Sequence, residues 1–210
     1  MSFKDFTSTD KVAELYHLVL RQEEPFDYKQ IPVMIPPTAL QADLEFELHH
    51  HPYSLNEQAL CEGLIYPVLR EVWKHHPRLQ LWSHVLLQVD NELTGIPDYL
   101  VSQKSPQGLA KLNPPLLAVM EAKQENFAQG WGQCLAGMVA AQKLNADCQP
   151  LPVIYGVVTT GKSWEFGQLI DNEVKIHPFN LSLVQIDQLL GVLDYIFNQC
   201  EIALAKIHHQ

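Results

Sequence analysis

The chain has 210 residues, 47% hydrophobic and 18% charged, proportions of a soluble globular protein with room for one substantial core and some elaboration. Twenty-four acids against fourteen Lys and Arg leave a formal charge of −10, the wrong sign for gripping nucleic acid with the whole surface, so such a contact must rest on a local patch, a metal or a partner. No apolar run approaches the roughly 20 residues of a membrane span, and the N-terminus lacks an export signal, so no membrane contact and a cytoplasmic address are expected.

In chain order, residues 9–22 place Val12, Leu15, Tyr16, Val19 and Leu20 at helical spacing behind Ser8 and Thr9, which predicts a first helix. The run "KQIPVMIPPT" (29–38) is too rich in proline for a helix or an inner strand and predicts an extended connector. Residues 1–50 are therefore expected to be an elaboration on a core at 54–171. A second helix is predicted from Ser54 to His76, with Ser54 as cap, Glu57 three residues on as in a capping box, and a kink at Pro67. Stepping 100° per residue, Leu60, Cys61, Leu64, Ile65, Val68 and Val72 share a direction with Glu57, while Glu62 and Glu71 fall toward the edges. Capping explains an acid there as well as function does, and Glu62 stands as the alternative helix-borne acid.

From Leu79 the period changes. "LQLWSHVLLQV" (79–89), "GIPDYLV" (95–101) and "PLLAVMEAK" (115–123) predict three consecutive strands. A helix fits 127–145, then "PVIYGVVTTG" (152–161) and "SWEFGQLI" (163–170) as strands about a turn at Gly161. A long amphipathic helix closes the chain from Ser182 to about residue 209, its apolar stripe serving the core or an oligomer surface. The fold expected is α/β in class: one domain of three layers, αβα, with a central mixed sheet built as helix, three-stranded meander, helix, further strands and C-terminal helix.

Within the third strand, Glu121 and Lys123 are two apart and so share a face, roughly 6.5–7 Å from each other. Alone they read as an ordinary charged pair. On the preceding strand, however, Asp98 follows a proline in an apolar run. An antiparallel hairpin centred at 109–110 sets Asp98 opposite Glu121, with Cβ atoms about 4.5–5.5 Å apart. Two carboxylates that close repel unless a proton or cation lies between them, and Mg²⁺ suits such a pair.

Pro97-Asp98 followed by Glu121-Ala122-Lys123 on the next strand resembles the PD-(D/E)XK, or restriction endonuclease-like, nuclease superfamily. "NEQALCEGLIYPVL" (56–69) resembles that family's first helix, with Glu57 at the place of its frequent acid. "GWGQCLAGMVAAQ" (130–142) resembles the helix after the Glu-x-Lys strand, with Gln133 as its frequent glutamine, and "GVVTTGKSWEFGQL" (156–169) is similar to a strand, turn and strand of type I restriction-enzyme nuclease domains. The resemblance spans roughly residues 55–170. It implies a hydrolase of phosphodiester bonds, a DNA endonuclease ahead of an RNA enzyme, in which Asp98, Glu121 and the Ala122 carbonyl hold Mg²⁺ or Mn²⁺. Lys123 then orients or deprotonates a water or offsets charge on the phosphate, with Gln133 and Glu57 in support. A partner protein supplying specificity and a homodimer are both compatible with it, and the alternative is a nuclease-like fold kept for binding or assembly without turnover.

Other signals carry less. "GVVTTGKS" (156–163) has the letters of a P-loop, but strand-forming residues fill the would-be loop and more strand follows where a helix is required. The His49–His51, His75–His76 and His208–His209 runs are expected to be solvated. Trp131, Trp164 and the unpaired Cys61, Cys134, Cys148 and Cys200 are expected to serve packing.

Overall fold

The computed structural model describes residues 2–50, 55–105, 108 and 111–207. Helix α1 (Thr9–Tyr16) stops at His17, whose backbone turns left-handed at φ 56°. Residues 19–22, expected as its continuation, instead form strand β1 (Val19–Gln22). A short 3₁₀ turn (Tyr28–Gln30) and an extended, proline-rich connector lead to α2 (Thr38–His50). Next come α3 (Glu57–Leu60), a π turn (Cys61–Ile65) and α4 (Tyr66–Trp73). The expected kink at Pro67 takes the form of this π turn. Proline has no N–H to give the carbonyl four residues back and its ring crowds that carbonyl. Widening the turn by a residue relieves both, and the Tyr66 N–H bonds to the Cys61 carbonyl.

The strands are β2 (Leu79–Ser83), β3 (Leu87–Gln88), β4 (Thr94–Gly95), β5 (Tyr99–Gln103) and β6 (Leu116–Ala122). Helix α5 (Phe127–Leu144) follows, then β7 (Ile154–Thr159), β8 (Ser163–Ile170), β9 (Glu173–Ile176), β10 (Leu181–Ser182) and α6 (Ile186–Ile207). The run 79–89 is thus not one strand. It breaks after Ser83, where His84 adopts φ 51°, and its second half pairs with β4 in a separate two-stranded ribbon.

The main sheet runs β1-β9-β8-β7-β6-β5-β2, with β10 beside β8. It is mixed, parallel at β1/β9 and β6/β7 and antiparallel elsewhere. Against one face pack α4 and α6, through Val68, Leu193 and Phe197 on Val101, Met120 and Phe166. Against the other packs α5, through Cys134 and Met138 on Val119, Val158 and Leu169. This is the three-layer αβα arrangement, and β6 at its centre is buried at every position, as a strand covered on both faces must be.

The first fifty residues are woven into this fold rather than set upon it. Phe3, Phe6 and Val12 enter the core under α5, Phe26, Ile31, Leu40 and Leu44 enter the other, and β1 extends the sheet. The α6 stripe (Leu189, Leu193, Phe197, Leu204) is wholly buried core, which settles the choice between core and oligomer surface for those residues. No described helix is long and apolar enough to cross a membrane.

Trp131 and Trp164 are buried, as are Cys61, Cys134 and Cys200, in keeping with packing roles. His49, His50 and His75 are solvated, but His76 is not. It is 5% exposed where the end of α4 meets α6; its Nε2 lies 3.0 Å from Asp194, while Nδ1, 3.5 Å from Glu201, makes no hydrogen bond among the described residues. Ser54, His51, His208, His209 and the hairpin centre at 109–110 lie outside the described residues. The "GVVTTGKS" run is a β-hairpin: β7 continues to Thr159, Gly161 turns at φ 74°, and β8 starts at Ser163. No helix opens at Lys162-Ser163, so the phosphate-cradling geometry is not built.

Candidate active site

The register of β5 on β6 pairs Tyr99 with Met120, Leu100 with Val119 and Val101 with Ala118. One step further along the same register, Asp98 faces Glu121. Asp98 is fixed from two sides. Its Oδ2 accepts the Ala122 N–H at 2.7 Å, and its Oδ1 lies 3.3 Å from His84 Nε2. The His84 N–H in turn donates to the Asp98 carbonyl at 3.0 Å, so the left-handed turn after β2 exists where it braces the carboxylate.

Beyond β6, the Lys123 N–H donates to the Thr159 carbonyl at 2.9 Å, which carries the parallel ladder with β7 one residue past the strand. From that fixed backbone the Lys123 ammonium donates to the Ala122 carbonyl at 2.7 Å and to both Glu57 oxygens at 3.2 Å, and it lies 3.8 Å from Glu121 Oε2. Its aliphatic stem passes under the first turn of α5, where Gly130 leaves it room: a Cβ there would fall 2.9 Å from Lys123 Cγ.

Two helices complete the constellation. Asn126 caps α5 by accepting the Gln129 N–H at 3.0 Å, and the buried Gln133, a turn further on, lines the cleft with Asp98, Glu121 and Lys123. Gly137 lets the same helix sit low on the sheet, since a Cβ there would meet Val119 Cγ1 at 2.9 Å. On the opposite side Asn56 caps α3 by accepting the Ala59 N–H at 2.8 Å. The described cap is thus Asn56. Glu57 is the first helical residue, not the third, and its carboxylate goes to Lys123. Glu62 is exposed and contacts Gln58 instead. Glu57 also differs from the expected acid on an apolar stripe in being 46% exposed at its side chain.

All five sequence-predicted side chains, Asp98, Glu121, Lys123, Gln133 and Glu57, therefore line one cleft of about 800 Å³. A neighbouring hollow of about 610 Å³ shares Glu57 and Lys123 and adds Lys162 on the β7–β8 turn. Glu121 is 6% exposed at its side chain. Burial foremost, then the Asp98 charge, push its carboxyl well above the usual range, and the Lys123 ammonium only partly opposes them. Asp98, Glu121 and the Ala122 carbonyl could supply an all-oxygen set of the kind Mg²⁺ takes. A buried carboxyl that resists ionisation beside a second carboxylate is chemically suited to a cation. The carbonyl is shared, in this structure, with Lys123.

Sequence reasoning missed His84 and Gly130. The signal for His84 is the polar Ser83-His84 pair interrupting an apolar run. For Gly130 it is a glycine one turn into a helix, where only close packing favours it. Neither protein-family models nor curated proteins match the sequence.

Proposed function

We propose that the protein is a divalent-metal-dependent nuclease of PD-(D/E)XK type that hydrolyses phosphodiester bonds, most simply as a DNA endonuclease. The observation that carries this reading is the convergence, from the adjoining ends of β5 and β6 and from two helices, of Asp98, Glu121, Lys123, Gln133 and Glu57 on one cleft. Asp98, Glu121 and the Ala122 carbonyl would hold Mg²⁺ or Mn²⁺. When bound, the ion supplies charge neutralisation and Lewis-acid polarisation to a phosphodiester.

The protein's own groups do the rest. Lys123 holds its ammonium next to the carboxylate pair, where exchanging its bond to the Ala122 carbonyl would let it orient an attacking water and offset charge that develops on the phosphate. Glu57 holds the ammonium from the far side through both of its oxygens. Gln133, rooted in buried α5, offers amide donors to a phosphate oxygen or to Lys123. Lys4 and Lys162 line the two hollows beside Lys123, three ammonium groups set against the carboxylates of Glu57, Asp98, Glu121 and Glu125, so approach of a phosphate backbone would depend on the bound cation. Specificity for a sequence would come from the surrounding loops, from residues 1–50, from a second copy of the chain or from a partner protein. The buried, unpaired thiols suit a reducing, cytoplasmic setting.

The test is incubation with single-stranded DNA, duplex DNA and RNA in Mg²⁺ or Mn²⁺, beside Asp98→Asn and Lys123→Ala. Each substitution is expected to lower cleavage by about 10²–10³-fold, the scale of losing one transition-state contact. Cleavage unchanged in both refutes the assignment. A second reading, binding without turnover, draws on one observation: Lys123 already occupies the Ala122 carbonyl and so closes the site with its own ion pairs. Absent cleavage together with no Mg²⁺-dependent rise in unfolding temperature selects it.

A further inference from the structure

Cys61, His84 and Asp98 come from three different elements, yet one ligand atom of each lies within 4.8 Å of the other two. The first belongs to the π turn, the second to a left-handed residue after β2, and the third to the loop entering β5. Both backbone irregularities of this region thus end at one point, and π turns are frequently found at functional sites. We propose that these residues form a second metal site, selective for a borderline-soft divalent ion such as Zn²⁺, and that filling it disables Asp98. The binding claim stands on this geometry alone; the inhibitory claim rests on the nuclease reading.

The donor set separates this site from the oxygen-lined one beside it. Thiolate and imidazole favour zinc-like ions, whereas carboxylate and carbonyl favour Mg²⁺. The spacing fits as well. Zn–N and Zn–O bonds of about 2.0–2.2 Å at a tetrahedral angle put the two atoms roughly 3.3 Å apart, and His84 Nε2 lies 3.3 Å from Asp98 Oδ1. A sulfur ligand at about 2.3 Å requires roughly 3.6 Å to each of them, so Cys61 Sγ needs at most a small inward movement from its place within 4.8 Å. Outer contacts of the sort that orient metal ligands are present. Ser83 Oγ sits 2.8 Å from His84 Nδ1, leaving the Nε2 lone pair free when Nδ1 carries the proton, and the Tyr99 hydroxyl donates to the Cys61 carbonyl at 3.1 Å. An ion has an entry path, because His84 is 45% exposed at its side chain and lines the cleft. Binding replaces the Cys61 S–H bond by a sulfur–metal bond, with one proton passing to solvent. A water completes the fourth position.

Coupling follows from the carboxylate they share. Asp98 Oδ2 is committed to the Ala122 N–H, so Oδ1 is the oxygen for which both sites compete. The experiment is a Co²⁺ titration of the full chain followed by absorption, with Zn²⁺ as competitor, on wild type, Cys61→Ser, His84→Ala and Cys148→Ser. A thiolate-to-cobalt band with tetrahedral d–d bands is expected in wild type and Cys148→Ser, bleached by Zn²⁺. Its apparent affinity should fall by about 10–100-fold or vanish in the other two. No such band, or the same band in His84→Ala, overturns the site. His84 is half-exposed, so that variant decides the matter even where replacing buried Cys61 costs the fold. In cleavage assays at fixed Mg²⁺, stoichiometric Zn²⁺ is expected to inhibit wild type, while Cys61→Ser needs at least about 10-fold more Zn²⁺ for the same fractional loss of its own rate. Equal inhibition of the two overturns the coupling. A protein that binds Co²⁺ through Cys61 and His84 but never cleaves nucleic acid refutes the nuclease reading and leaves the site standing.

Discussion

Replacing Glu121 by Gln keeps the shape of the side chain and removes its charge, and in metal-free protein it should stabilise the fold by an amount that grows with pH. The Asp98 and Glu121 carboxyls are in hydrogen-bond contact, and at an effective dielectric of about 20 two like charges roughly 4 Å apart repel by about 4 kcal/mol. The Lys123 ammonium, 3.8 Å from Glu121 Oε2, returns about 4 kcal/mol on the same scale. The two nearly cancel, which leaves the burial of a carboxylate that is 6% exposed at its side chain, a cost of several kcal/mol per ion in a protein interior. The folded protein therefore keeps a proton on Glu121 at a pH where the unfolded chain has released it. Native protein binds more protons than unfolded protein in that window, so stability is complete below the ordinary carboxylate range and is lost as pH rises above it toward the raised value. The slope is up to about 1.4 kcal/mol per pH unit for one proton. Urea unfolding of both proteins in EDTA from about pH 5 to about pH 7 measures the difference, in which titrating groups remote from Glu121 cancel and only Glu121 and its coupled neighbours contribute. The variant is expected to gain on wild type with rising pH in EDTA, and Mg²⁺ is expected to stabilise wild type alone. A gap independent of pH, or equal stabilisation of both by Mg²⁺, would refute the reasoning.

Three further outcomes follow from the same geometry. Gly130→Ala places a Cβ 2.5 Å from Val158 Cγ1 and 2.9 Å from Lys123 Cγ; it should cost about 1–3 kcal/mol in urea unfolding and, by shifting the lysine, lower cleavage about 100-fold. Glu57→Gln, at a half-exposed side chain, should change stability by less than about 1 kcal/mol yet slow single-turnover cleavage, whereas Glu62→Gln should do neither. His76→Ala removes the ring between Asp194 and Glu201 and should lower stability by about 1–3 kcal/mol with no effect on cleavage rate.

The pairing that matters most to the site was legible because it is local. An antiparallel hairpin whose strands are both apolar has few registers that keep the polar residues together, and the one that opposes Asp98 to Glu121 is the one observed between Tyr99 and Met120. The strand pair about Gly161 and the glycine-bearing α5 were legible for a like reason, since turn chemistry and helical spacing act over a few residues. Part of what escaped was set at long range. Residues 19–22 have a helical pattern, but β9, far along the chain, offers them a parallel ladder, and pairing overrides a short amphipathic signal. Helix α2 follows a proline-rich approach that masks its start, and α3 needed its true cap, Asn56, to show that Glu57 is free to reach Lys123. His76 looked like one of several surface histidines until α6 closed over it.

The turn at Gly161 has a meaning beyond excluding a nucleotide cradle. A Cβ there would meet Leu60 Cδ1 at 2.8 Å and Leu64 Cβ at 3.1 Å, so the tip of the β7–β8 hairpin presses against the helix that begins with Glu57. The hairpin also holds the backbone of Lys123, through the Thr159 carbonyl. One short turn thus acts as a rivet between the two pieces that carry this ion pair, and its glycine sets the gap across which the glutamate and the lysine meet.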